Sequence, residues 1–126
     1  MSGGAPLDER LHFIKHKSHA IFVFDFSHCS AKEMMLLLDQ IKASVARHDP
    51  GSVLVLADFS GAQIDKAVAI RIKEVLVFDR PYVKRSAWVG TESLPHVYYE
   101  NFKSFSQRDF PTFKTREEAM DWLVQE

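Results

Sequence analysis

Three short runs rich in β-branched and aromatic residues, AIFVFDF at 20–26, SVLVLADF at 52–59 and VKRSAWV at 83–89, alternate with segments of helical periodicity. Parallel strands cannot be joined by a tight turn and need a crossover of a dozen or more residues, which a helix supplies. Residues 11–17 are mixed in character and lie one short turn, Ser18-His19, before the first run. They are expected to form an antiparallel hairpin with it, the second strand being central.

The intervening segments carry helix signals. Ser30-Ala31-Lys32-Glu33 is a capping box, in which the Ser hydroxyl and the Glu carboxylate each satisfy a loose backbone amide. The helix it opens should run to about Arg47, with Met34, Leu37, Leu38, Ile41 and Val45 on one buried stripe. Asp49-Pro50-Gly51 reads as a turn, Asp65 can cap a second helix to about Phe78, and Pro81 marks a loop. A third helix is expected over 94–105, with Leu94, Val97, Tyr98, Phe102 and Phe105 inward and Pro95 in its first turn. Residues 110–113 suit a short edge strand, because Pro111 has no N–H for a ladder. Thr115-Arg116-Glu117-Glu118 is a second capping box, opening a terminal helix that buries Ala119, Trp122 and Leu123. The order ββαβαβαβα defines an α/β domain with a mixed, mostly parallel sheet of four to five strands flanked by helices. Residues 1–9, with Gly-Gly and Pro, have little to bury and should form a loose arm, leaving 10–126 as one domain.

Charge and cysteine content narrow the function classes. Lys plus Arg number 16 against 17 for Asp plus Glu, so no overall field favours nucleic acid or an anionic membrane. The single cysteine, Cys29, excludes an intrachain disulfide, and no apolar stretch reaches the roughly 18 residues of a membrane span. A cytoplasmic protein is the expectation.

Two of the apolar runs end alike, in Asp25-Phe26-Ser27 and Asp58-Phe59-Ser60. Ligands of such sheets favour the carboxyl ends of the strands, which makes Asp58, Ser60, Gly61 and Asp65 a candidate anion or ligand loop. The segment GAQID has one glycine and no lysine in place, so it matches neither a Walker loop nor a dinucleotide fingerprint. The plainer reading is that Asp and Ser satisfy loose backbone amides as the chain leaves the sheet. His12, His16, His19, His28 and Cys29 are the densest group of metal-ligand types, but on a strand His12 and His16 stand about 13 Å apart. One zinc cannot bridge that gap. No metal or cofactor is expected, and neither a nucleophile-base set nor a carboxylate pair stands out for catalysis. Cys29, just before a capped helix, is the one candidate reactive thiol.

The stretches VKRSAWVG (83–90), YYENFKSFS (98–106) and, most specifically, FKTREEAMDWL (113–123) resemble the SpoIIAA-like family, a STAS-related group whose fold is also similar to CRAL-TRIO lipid-transfer domains. The resemblance implies a four- or five-stranded sheet with flanking helices and no known catalytic activity. In the STAS anti-sigma-factor antagonists a serine in an Asp-Ser-Ser-Gly motif is phosphorylated. The matching stretch here is Asp65-Lys66-Ala67-Val68, so the phospho-serine switch is missing.

These readings leave a non-catalytic interaction module that self-associates or binds a protein partner. The alternatives are a carrier of a small hydrophobic or lipid-like ligand, by analogy with CRAL-TRIO domains, and a Cys29-based redox protein. The helix DKAVAIRIKEVLVF (65–78) bears on the choice. Val68, Ile72, Val75 and Leu76 form a stripe for the sheet, while Ala67, Ile70 and Val77, beside Glu74, gather on the opposite side as a candidate binding face. If the helix instead stops near Glu74, Val77 and Phe78 turn inward and that face vanishes.

Overall fold

The structure, a computed structural model, describes residues 7–125. Residues 1–6 of the expected arm lie outside the described residues. Leu7–Glu9, also assigned to the arm, form a short 3-10 turn, and Leu7 packs on the core. Among the described residues the chain forms β1 (Leu11–His16), β2 (His19–Asp25), α1 (Ala31–Val45), β3 (Val53–Asp58), α2 (Lys66–Asp79), β4 (Val83–Val89), α3 (His96–Ser106), β5 (Thr112–Phe113) and α4 (Arg116–Leu123). One five-stranded sheet runs β1-β2-β3-β4-β5; β1 is antiparallel to β2 and every other pairing is parallel.

This strand order dictates the layers. Right-handed crossovers between successive parallel strands put the connecting helices on one face. Their core holds Phe22, Phe24, Phe26, Val53, Val55, Ala57 and Trp88 from the sheet against Met34, Leu37, Ile41, Val68, Ile72 and Phe102 from the helices. The terminal helix α4, with no strand to return to, closes the other face, where Ala119 and Leu123 meet Ile21, Val23, Leu54, Leu56, Ala87 and Val89. All six residues of β3 are buried, because it is the middle strand with a helix layer on each side. The α1 stripe Met34, Leu37, Leu38, Ile41 and Val45 is fully inward, and both halves of the Ser30–Glu33 capping box are formed.

Several expectations need correction. The hairpin turn is Lys17-Ser18, not Ser18-His19; both residues take left-handed φ, 48° and 70°, which matches the twist of a two-residue hairpin. The first helix stops at Val45. The third starts at His96, after a 3-10 turn over Thr91–Ser93, and Pro95 is its N-cap residue. Val97 and Phe105 are 61% and 58% exposed; the inward positions are Phe102 and, in part, Tyr98 and Tyr99. Trp88 sets that rotation, since its ring contacts Tyr99, Phe102 and Phe110. The Thr115 box is half formed: its hydroxyl accepts from the Glu118 amide, but the Glu118 carboxylate takes the Thr115 hydroxyl rather than its amide. Trp122 is only partly buried, packed on the rim of the α4 core and against Phe113.

Candidate functional site at the carboxyl edge of the sheet

The repeated Asp-Phe-Ser ends meet in space. Asp25 and Asp58 are register partners at the carboxyl ends of β2 and β3. Each carboxylate turns back on its own chain: Asp25 Oδ1 accepts the Ser27 amide at 3.0 Å and its hydroxyl at 2.5 Å, and Asp58 Oδ1 accepts the Ser60 amide at 2.9 Å. These are side-chain-closed turns that satisfy amides leaving the ladder. The Phe26 and Phe59 rings between them lie 5.1 Å apart in the helix-side core.

A single guanidinium joins the two ends. Arg116, the first residue of α4, donates from Nε to Asp58 Oδ2 at 2.8 Å, while its Nη2 sits 2.8 Å from the same oxygen and 3.2 Å from Asp25 Oδ1. Arg10, fully buried, donates from Nη1 to the carbonyls of Asp25 and Ser27 at 3.1 and 2.7 Å. Burial alone would raise the pKa of Asp58, but the amide and hydroxyl of Ser60 and then Arg116 outweigh it and hold the carboxyl below its ordinary value.

Gly61 and Gly90 let this edge close. A Cβ on Gly90, at φ 70°, would lie 2.3 Å from both the amide nitrogen and the hydroxyl of Ser60. A Cβ on Gly61 would meet Nδ1 of His28 at 2.4 Å, and the Gly61 amide donates to the Ser93 hydroxyl at 2.8 Å. Asp58 and Ser60 are thus bonded to each other, while the neighbouring Gly61 is tied to Ser93. Asp65 stands apart from them in role: it is the N-cap of α2, its Oδ1 accepting from the Val68 amide at 2.8 Å.

The other candidates are separated by the fold. His12 meets the Glu9 carbonyl and His16 meets Asp121 of α4, so these two serve different partners. Cys29 is fully buried, and burial foremost, against an opposing pull from Arg10, pushes its thiol up to about 11, which opposes thiolate chemistry. On α2, which runs on through Asp79, Ala67, Ile70, Glu74 and Val77 are all exposed, Ile70 at 50% and Val77 at 47%. The reading in which Val77 and Phe78 turn inward is thereby excluded.

Two concavities among the described residues bear on ligand binding. One, of about 30 Å³, lies between the sheet and α1 and α2, with apolar walls that include Phe24, Leu38, Ile72 and Trp88 and a polar end made by Asp79, Ser86 and Arg108. It is far below the roughly 300–1,000 Å³ of ordinary ligand sites, so no acyl chain fits it. The other, about 370 Å³, is a groove along Thr91, Glu92, Leu94, His96, Tyr99 and Thr112, too open to enclose an apolar molecule. Among the described residues no helix is long and apolar enough to cross a membrane.

Arg10, Arg116, Asp79 and Arg108 are the polar residues that sequence reasoning missed. The doubled Asp-Phe-Ser was the one available signal, since acids at the ends of two adjacent strands call for a shared cation.

A monotonic strand order, one antiparallel edge strand, three helices on one face and a terminal helix on the other define a SpoIIAA-like fold. The chain is similar in structure to an uncharacterised protein of the DUF3478 family with that fold from Shewanella loihica PV-4, with a TM-score of 0.69 over 90% of this chain and 92% of that one at 15% identity. At that identity the likeness defines the fold alone. No protein-family model matches the sequence, and no curated protein matches it either. The kinship with CRAL-TRIO domains finds no support in these comparisons.

Proposed function

We propose that this SpoIIAA-like domain is a non-catalytic interaction module that associates with a second copy of itself through the outer face of α2. The observation that carries the reading is the second apolar stripe of that helix, Ala67, Ile70 and Val77, standing opposite a first stripe that already covers the sheet. The stripe continues onto its neighbours: Lys42 of α1 lies over the ring of Phe78, and Lys73 lies over the exposed ring of Phe105 from α3. Its charged rim carries both signs, Lys66 and Lys73 beside Asp39 and Glu74, with Arg71 paired to both acids. A surface with both signs around an apolar centre suits a two-fold-related copy, where each cation can face an acid. It suits a uniformly anionic surface poorly. The groups of the carboxyl edge support the non-catalytic part of the reading, since Asp25, Asp58, Arg10 and Arg116 already bond one another.

Sedimentation velocity across a concentration series, on wild type and Ile70→Asp, tests the proposal. Wild type should associate as concentration rises, and Ile70→Asp should remain monomeric with an unchanged circular dichroism spectrum. A wild type that stays monomeric at high concentration, or an Ile70→Asp variant that associates equally well, refutes it.

A further inference from the structure

Asp79 is the acid whose position the fold does not account for. It ends α2, is 3% exposed, and its Oδ1 is buried without a hydrogen-bond partner. It lines the small cavity whose other polar wall groups are Ser86 of β4 and Arg108 of the segment between α3 and β5. Arg108 does not bond it. The guanidinium instead donates to the Leu76 carbonyl at 3.1 Å and the Ser86 hydroxyl at 3.0 Å, so it caps the last turn of α2 and ties that turn to β4.

Three physical terms bear on the Asp79 proton. Burial disfavours the anion, and so does its place at the negative end of the helix dipole. The cations facing it oppose them: Lys42 from α1 and Arg108 from the 107–110 segment, while β4 contributes only the neutral Ser86. Burial wins, and raises the carboxyl to about 7.

We propose that Asp79 and Arg108 form a proton-controlled latch on the cavity, in which loss of the Asp79 proton opens the last turn of α2 away from the 107–110 segment and admits water to the anion. The cavity gives the corner free volume on one side. The Leu76 and Ser86 bonds of Arg108 are the ties that break on opening, as water solvates both the guanidinium and the carboxylate. In the closed state the acid keeps its proton up to about pH 7; in the open state it is solvated and titrates near its ordinary value of about 4. The opening constant should then rise by roughly tenfold per pH unit between about pH 4 and 7, and level off above that.

Hydrogen exchange of the intact chain at several pH values, corrected for the intrinsic pH dependence of exchange, reads this directly. Between pH 5 and 7 the amides of residues 77–80 and 108–110 should lose protection at least about tenfold in wild type, while those of β3 do not change. In Asp79→Asn the same amides should show no such trend. Should that variant not fold, the carboxyl carbon resonance of Asp79 in the wild type decides alone. A titration midpoint near 4, or equal pH trends in wild type and Asp79→Asn, overturns the proposal.

Discussion

Asp25 and Asp58 end adjacent parallel strands in register, and the guanidinium of Arg116 spans both carboxylates from the first turn of α4. In a doubly wound sheet the carboxyl edge gains a crevice where the strand order reverses. Here the order among the described residues is monotonic, and a side chain from α4 bonds the two strand ends at that edge. The repeated Asp-Phe-Ser is therefore a docking point for α4, whose other end is held by Arg85 of β4, a donor to the Gln125 carbonyl at 2.6 Å.

Removing Arg116 should be destabilising because it leaves two carboxylates side by side. With its side chain 40% exposed, Arg116→Ala should cost about 1–3 kcal/mol, below the roughly 3–5 of a fully buried pair. The acid limb of stability should also flatten. The Asp58 carboxyl is depressed in the folded protein, so its stabilisation is complete above the unfolded value of about 3.9 and disappears as pH falls through the folded value. Urea titrations of wild type and variant from pH 2 to 6 check both statements.

Gly90→Ala tests the close approach of β4 to the β3 loop. The new Cβ would collide with the backbone of Ser60, at a left-handed φ that alanine adopts only with strain. A loss of about 2 kcal/mol or more is expected in urea unfolding, larger than for Gly51→Ala, where nothing lies within 4 Å of the added atom. Equal losses at the two glycines would show that φ alone, and not the contact with Ser60, decides.

Much of the fold was legible because local signals determine it. Buried strands stand out as apolar runs, and the α1 and α2 stripes follow from the period of the helix. The face of α3 was not legible: Val97, Tyr98, Tyr99, Phe102 and Phe105 offer apolar or aromatic groups all round, and only the position of Trp88 selects among them. The site was readable in half. Asp58 and Ser60 announced themselves by repetition, whereas Arg116 lies 58 residues from Asp58, in what reads as an ordinary first helical turn. Asp79 and Arg108 had no signal, since an acid and a base in polar-looking segments carry no mark of burial.

The two helix caps should differ in worth. Ser30 closes a reciprocal box, its hydroxyl accepting the Glu33 amide while Glu33 accepts the Ser30 amide at 2.9 Å, and α1 spans the core. Thr115 lacks the reciprocal bond to its amide and sits in an exposed turn. Ser30→Ala should therefore cost about 1–2 kcal/mol and Thr115→Ala about 0.5, measured by chemical denaturation at pH 7.

Cys29 separates the structural reading of this region from a redox one. Its position before α1 would favour a thiolate if the sulfur reached solvent, because helix N-termini stabilise anions. It does not reach solvent: the side chain is fully buried in the helix-side core, and its thiol is raised to about 11. Reaction with a thiol reagent at pH 8 should therefore need the domain to open, so the labelling rate should track the unfolded fraction as urea is added. Cys29→Ser should be destabilising, since it places a hydroxyl in an apolar site, and Cys29→Ala should cost less than Cys29→Ser. Labelling of the native protein as fast as that of an unfolded peptide, with no dependence on urea, would restore the thiol to the list of functional groups.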